Sequence, residues 1–348
     1  MLSVGVVVAT YNRPEALADL LDDLDAQVVD VPFAVTVVDD GGTAPLDTVI
    51  ADRGVQLIRR PNGGPGAARH TGIAATPADV VVMLDDDMRV GPGFIQAHLD
   101  AHRGGGDVVY GFIESSDDRT DNVDGSGGPG SAGDTLFARF HQRAIDRWLA
   151  AYRSGAVPSG SRLCTGNVSV RRAGYEAVGG FDTSLVRCED RDLGIRLQAA
   201  GQKFVLAENA RSEHRTDHEN IQEWRRRTSI YGQSDQRIAG KHPARPDVSP
   251  WAFLDELPAA LTPLLVLAAA LPRTAAPIGA LSYRIATLVD RSGRRTRAVD
   301  LAALCYAVDY YRGVGTGTGG FRRVVASYRR WRSAARSARV IGPRGTRP

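Results

Sequence analysis

Val80-Val81-Val82-Met83-Leu84-Asp85-Asp86-Asp87 decides how this chain is read. A short run of β-branched and other apolar residues bounded by polar ones marks a buried strand. Three carboxylates where that strand stops repel one another unless a cation neutralises them. Hard divalent ions such as Mg²⁺ and Mn²⁺ favour such oxygen ligands and commonly share their shell with phosphate. The octapeptide therefore suggests a metal-dependent enzyme acting on a nucleotide diphosphate. A solvated acidic turn or a helix cap is the plainer alternative, so the surrounding sequence must decide.

Upstream, strands and helices alternate. Ser3 to Ala9 reads as a buried strand. Arg13-Pro14-Glu15 opens a helix whose apolar face is Leu17, Leu20, Leu21 and Leu24. Phe33 to Val38 is a second strand, ending in Asp39-Asp40-Gly41-Gly42, and Val55 to Arg59 is a third. The loop Pro61-Asn62-Gly63-Gly64-Pro65-Gly66 leads into a helix from about Ala67 to Ala75. Strands separated by helices predict an α/β, doubly wound, mostly parallel sheet with right-handed crossovers. Ligands of such sheets bind at the carboxyl ends of the strands. Asp39-Asp40, the Asn62 loop and the aspartate triplet all fall at that edge.

Composition sets the frame. The 348 residues are 43% hydrophobic and 24% charged, as in a globular protein with a large core. Cys164, Cys188 and Cys305 are too scattered for a disulfide framework or a zinc site, which predicts a reducing, cytoplasmic setting. Val4 to Val8 is too short to act as the apolar core of a signal peptide. The net charge of +3 conceals a division: from Arg273 onward the chain carries 16 arginines and three acids, a balance of +13, leaving −10 for the rest. A basic end on an acidic body calls for an anionic partner. Asp117 to Gly133, rich in Gly, Asp and Ser, is expected to be a loop. Leu257 to Leu271 is apolar but interrupted by Pro258 and Pro263. Its 15 residues fall short of the roughly 20 that span a bilayer, leaving a buried helix or a membrane-resting segment.

Several motifs in order give the chain a family likeness. They are Val7-Val8-Ala9-Thr10-Tyr11-Asn12-Arg13-Pro14, Val38-Asp39-Asp40-Gly41-Gly42, and Asn62 through Gly72. Leu84-Asp85-Asp86-Asp87, Thr165-Gly166-Asn167, Gly179-Gly180-Phe181-Asp182 and Glu189-Asp190-Arg191-Asp192-Leu193 follow. Together they resemble the inverting, metal-dependent family 2 glycosyltransferases of the GT-A fold, over residues 3 to about 218. Ala9 stands where the family often has proline, and His70 where it often has asparagine.

The resemblance implies a catalytic domain over 1–240, with a nucleotide-binding part to about 110 and an acceptor part beyond it. A mainly helical, basic region would occupy 241–348. It implies a nucleotide-diphosphate sugar donor, a hydroxyl acceptor (glycan, glycolipid or small molecule) and Mn²⁺ or Mg²⁺. Asp39 would hydrogen-bond the nucleobase, with Thr10 and Tyr11 forming its pocket and Asn12, Arg13, Asn62 and Gly66 lining the donor site. Arg69 would reach a phosphate or the nucleoside, although a solvated helix position is an equally good reading. Asp87 would bind the metal directly, Asp85 the ribose or the metal through water, and Asp86 has no clear assignment. Gly166 and Asn167 would let the backbone approach the sugar, with a simple turn the close competitor.

An inverting transfer needs one carboxylate to take the acceptor proton during attack on the anomeric carbon. That role falls to Asp190, with Glu189 positioning it or the acceptor; a capping box on the following helix is the structural alternative. His214, expected a short connection beyond a strand from Lys203 to Ala207, would complete the metal shell as neutral imidazole, with His218 as the substitute. Trp224 and Tyr231, on a helix from Ile221 to Tyr231, suit core packing better than sugar stacking.

In the C-terminal region Phe321, Val324, Val325, Tyr328 and Trp331 recur at helical spacing among Arg322, Arg323, Arg329, Arg330, Arg332 and Arg336. Such a helix can lie on an anionic membrane, or pack on the body with a solvated basic face. The first reading would place the enzyme peripherally at the inner face of the membrane. Nucleic acid is not an expected partner, since no recognition module accompanies the arginines. A nucleotidyltransferase on a similar sheet would need a basic, glycine-rich triphosphate loop near the N-terminus, and Thr10 to Pro14 is not one. A non-catalytic, membrane-associated sugar-binding protein would have no need of Asp87 and Asp190.

Overall fold

The computed structural model describes residues 2–115, 136–156, 158–185, 187–215 and 221–341. Asp117 to Gly133, His218 and the side chain of Arg336 lie outside the described residues. The chain packs as two compact units, Met1–Val123 with Ala144–Asp217, and Asp124–Arg143 with His218–Pro348.

The first unit begins with β1 (Val4–Thr10), α1 (Pro14–Asp25), β2 (Phe33–Asp39), the single turn α2 (Asp47–Ile50), β3 (Gln56–Arg59), α3 (Pro65–Ala75) and β4 (Val80–Asp85). These strands pair in parallel, β3 to β2, β2 to β1 and β1 to β4. In-register pairing puts Thr10 beside Asp39 and Ala9 beside Asp85, so the polar ends of three strands meet at one edge.

The unit continues with β5 (Met88–Val90), α4 (Phe94–Arg103), β6 (Val108–Ser115), the end of α5 (Leu136–Arg153), β7 (Asn167–Arg171), α6 (Arg172–Ala177), α7 (Glu189–Ala199) and β8 (Phe204–His214). The sheet order is β3-β2-β1-β4-β7-β6-β8-β5. β7 runs antiparallel between β4 and β6, and β5 runs antiparallel to β8. The result is an α/β sheet that is mostly parallel, as expected, with antiparallel β7 and β5 making it mixed.

Alternation along β1 explains the two-sided core. Val4, Val6 and Val8 face α1 and α4, whereas Val7 joins Ile73, Val81, Leu193 and Leu197 on the other side. Leu17, Leu20, Leu21 and Leu24 of α1 are buried as their spacing predicts. Burial of such side chains stabilises by roughly 1.5–3 kcal/mol each.

β8 is longer than the sequence suggests, and His214 is its last residue rather than a position beyond a connection. The strand persists through Glu208 and Asn209 because Phe204, Ala207, Ala210 and Ser212 are buried along it, and because β6 pairs with it past a register shift at Tyr110/Phe112.

The second unit is helical: α8 (Ile221–Lys241), α9 (Thr262–Ala270), α10 (Pro272–Arg291), α11 (Arg295–Thr318) and α12 (Phe321–Ile341). α8 extends ten residues past the predicted Tyr231 end. Trp224 is buried, with its indole N–H 3.1 Å from His141 Nε2, and Tyr231 packs at the edge of the helical core. α11 is central, burying Ala302, Cys305, Ala307, Val308 and Tyr311. Trp251 stacks on Tyr311, with ring centroids 5.4 Å apart, and its indole donates to Ser327 Oγ at 3.0 Å. Leu257 to Leu271 resolves into a short α9 with Leu265 and Ala268 to Ala270 buried. Val324 is buried, and Tyr328 and Trp331 lean on the same core, so α12 packs its stripe inward and leaves Phe321 exposed.

Candidate active site

Asp85, Asp86 and Asp87 leave β4 in three directions. Asp85 pairs with Arg69 of α3. Asp86 is buried; Thr10 donates to its Oδ2 at 2.8 Å and Arg13 to its Oδ1 at 3.1 Å. Burial pushes the Asp86 carboxyl up, against the pull of Arg13 and the Thr10 hydroxyl. This aspartate ties β1 to β4. Asp87 accepts from Arg13 at 2.7 Å, and its other oxygen lies 3.2 Å from His214 Nε2.

Strand register makes that last meeting possible. Met88 pairs with His214 across β5 and β8, and Arg215 N donates to Asp87 O at 3.0 Å. One ligand atom each from Asp85, Asp87 and His214 lies within 4.8 Å of the others. Asp87 Oδ1 is buried without a hydrogen-bond partner, so its contact with His214 lacks hydrogen-bond alignment. Two carboxylates, an imidazole and an orphaned oxygen fit a divalent cation. Burial would lower the His214 pKa, but contact with Asp87 and the charge of Asp85 outweigh it and raise it. Asp87 shifts down: burial opposes the change, and His214 and Arg13 overcome it.

The second centre lies at the start of α7. Cys188 adopts a left-handed backbone, φ 60°, uncommon for a residue with a side chain, and turns the chain into Glu189 and Asp190. Glu189 is buried and receives Arg69 Nη1 at 3.2 Å, so Arg69 bridges Glu189 to Asp85. Arg69 is itself buried, which removes the solvated-helix reading. Gly66 allows this approach: a methyl group there would sit 2.5 Å from Glu189 Cγ. Asp190 Oδ1 accepts from Arg191 N at 2.7 Å. Burial, reinforced by the charge of Glu189, pushes the Asp190 carboxyl up to about 7. The Cys164 thiol is raised by burial to about 12 and stays protonated.

Residues 5–157 match the family model described as glycosyl transferase family 2. Over this region the chain is similar to family 2 glycosyltransferases. The chain is 28% identical over 247 residues to the pre-mycofactocin glycosyltransferase of Mycobacterium tuberculosis, covering 69% of this chain and 48% of that protein. It thus spans about half the length of that relative. It is 25% identical over 198 residues to the uncharacterized glycosyltransferase YwdF of Bacillus subtilis, covering 56% of this chain and 68% of YwdF. Among solved structures it is similar to the mannosyltransferase PcManGT of Pyrobaculum calidifontis, determined with GDP-Man and Mn²⁺. The TM-score is 0.57 at 18% identity, covering 89% of this chain and 86% of that one. At that identity the likeness is one of fold, and the shared fold is GT-A.

The remaining predicted residues, Asn167 excepted, lie around the same sheet edge. Asp39 is buried and accepts from Gly42 N at 2.8 Å. Asn12 has a left-handed φ of 55°, which asparagine tolerates, and its Oδ1 accepts from Thr43 N and Ala44 N at 2.7 and 3.1 Å. Tyr11 is exposed. Asn62 Nδ2 donates to Asp40 O at 2.9 Å. Gly166 lies against Asp85, where a Cβ would come 3.1 Å from its Oδ2.

Asn167 faces inward instead of toward that edge. It meets His98 Nε2 at 2.9 Å and donates to Ser212 Oγ at 2.8 Å. Sequence reasoning passed over His98 and His102, and gave Asp40 a place at the edge but no role. The histidines were detectable as polar residues at i, i+4 on the apolar face of α4, beside Phe94, Ile95 and Leu99. Asp40 accepts from Gly63 N at 3.1 Å and Gly64 N at 2.7 Å and pairs with Arg60, clamping the glycine loop.

Proposed function

We propose that the chain transfers a sugar from a nucleotide-diphosphate donor to an acceptor hydroxyl by direct, inverting displacement. One observation carries the reading: buried Arg69 pairs with Asp85 of a cation-ready Asp85–Asp87–His214 group and with Glu189, the neighbour of an Asp190 carboxyl raised to about 7. Asp87, Asp85 and His214 would hold Mn²⁺ or Mg²⁺. When bound, the cation supplies positive charge that stabilises the diphosphate leaving group.

The chain's own residues do the rest. Thr10, Tyr11, Asn12, Asp39 and the Asn62 to Gly66 loop would receive the nucleoside, a reading supported by their position near the carboxyl ends of the strands. Arg13 and Arg69 lie beside the triplet and bring fixed positive charge to the phosphates. Asp190 takes the acceptor proton as the hydroxyl attacks the anomeric carbon, and its pKa suits that exchange near neutral pH. Glu189, paired with Arg69, holds the start of α7 against α3. No covalent sugar–enzyme bond is needed.

The test is calorimetric titration of nucleoside diphosphate with Mn²⁺. Asp87→Ala is expected to remain folded and to lose metal-dependent binding by at least about 10-fold, the least expected from disturbing a metal's ligand set. An unchanged titration would remove Asp87 from the metal site.

A further inference from the structure

α10 is built inside out. The side chains it buries in its own unit are small: Ala275, Gly279, Ser282 and Ala286. Tyr283 and Val289 lean on the core of the unit, but the other four large side chains face solvent, with Ile278 41%, Leu281 59%, Ile285 41% and Leu288 64% exposed. Their 3-4-3 spacing puts them on one face. Leu267 and Leu271 continue the same rhythm upstream and are also exposed. Six of the ten large exposed hydrophobics among the described residues thus fall within this one stretch. A helix shaped only by packing in its unit would reverse the arrangement, large inward and polar outward.

Charge identifies what covers the face. Between Leu257 and Val299 the sequence has one acid, Asp290, and that is engaged by Arg139 at 2.6 Å. The same stretch carries Arg273, Arg284 and Arg291 on α10 and Arg294, Arg295 and Arg297 just beyond, all exposed. A second copy docked through the stripe would bring two sets of arginines together with no free acid on α10 to meet them. An anionic surface satisfies both features. No helix among the described residues is long and apolar enough to cross a bilayer.

We propose that the exposed face of α9 and α10 docks the protein on anionic lipid. Leu281, Leu288 and their neighbours enter the boundary between headgroups and acyl chains, and the arginines meet the phosphates. The assignment is independent of the transfer reaction and is tested without donor.

The full chain is to be sedimented with vesicles of phosphatidylglycerol and phosphatidylcholine, and with phosphatidylcholine alone, across a salt series. The wild type should bind the anionic vesicles, release as salt rises and bind neutral vesicles poorly. The double variant Leu281→Gln/Leu288→Gln should lose about 10-fold or more per side chain while its helical content and melting stay unchanged. Arg284→Gln/Arg291→Gln should weaken binding less and flatten its salt dependence. The proposal is overturned if the wild type stays in solution at low salt, if the leucine variant binds as tightly, or if neutral vesicles bind equally. It is also overturned if light scattering gives a wild-type dimer that the leucine variant converts to monomer, since a second copy then covers the face.

Discussion

Asp190 and Glu189 are adjacent carboxylates with different environments. Glu189 shares Arg69 with Asp85, whereas Asp190 is held by a backbone N–H and feels the Glu189 charge. A general base must be ionised to work, so on the proposed mechanism transfer rises with pH through a limb near pH 7. Asp190→Asn keeps the shape and removes the proton acceptor; the turnover rate should fall at least about 100-fold with donor affinity nearly kept. Steady-state kinetics at saturating donor reads both quantities, and near wild-type turnover would move the base elsewhere. Glu189→Gln removes the neighbouring negative charge and should shift the limb toward lower pH. Asp192 is a poor substitute base, because it is fully buried and held by Arg196 at 2.8 Å.

At the scale of elements, α4 is joined to β6, β7 and β8 by polar groups inside an apolar layer. His98 bridges Asn167 and Ser169, and His102 bridges Ser169 and Gly106 O, all at 2.8–2.9 Å. Burial pushes His98 down to about 3 and His102 down to about 4. Both pKa values are lower folded than unfolded, so the unfolded chain gains protons first as pH falls below about 6.5, and stability drops there. Each ring should cost about 2 kcal/mol by pH 5. Denaturant unfolding of wild type and His98→Gln at pH 7.5 and 5 should show the variant losing roughly half the histidine part. Equal losses in both would mean that His98 does not carry it. Such a network is hard to read from sequence, because its partners come from four elements with no shared spacing. The parallel half was legible for the opposite reason: β1, β2 and β4 are β-branched runs that end in polar residues, so direction and carboxyl edge follow from local pattern. The antiparallel β7 and the full length of β8 depend on pairing, and polar Glu208 and Asn209 hide the strand that delivers His214 to Asp87.

At the scale of the whole molecule, the charge division visible in the sequence coincides with a division of structure. The acidic part contributes the sheet and the candidate site, and most of the +13 lies on the helices of the second unit. The expected boundary near residue 240 would have put α8 in the catalytic domain; its burial of Trp224, Gly232 and Ile238 and its packing along α11 put it with the helical unit instead. Every residue proposed to bind donor or metal lies in the first unit, so the second can be weakened by itself. Trp251 is fully buried, stacked on Tyr311, edge-on to Tyr328 and bonded to Ser327. Trp251→Ala opens a cavity and leaves the Ser327 hydroxyl without its donor, a loss of about 3–5 kcal/mol. For a unit of this size that lowers its melting transition on the order of 10 °C. Calorimetry should show one early transition and one unchanged, and titration with nucleoside diphosphate and Mn²⁺ well below the early transition should match wild type. If donor binding falls together with the helical transition, the sheet unit depends on the helical one for its folded state, and the two are energetically a single domain.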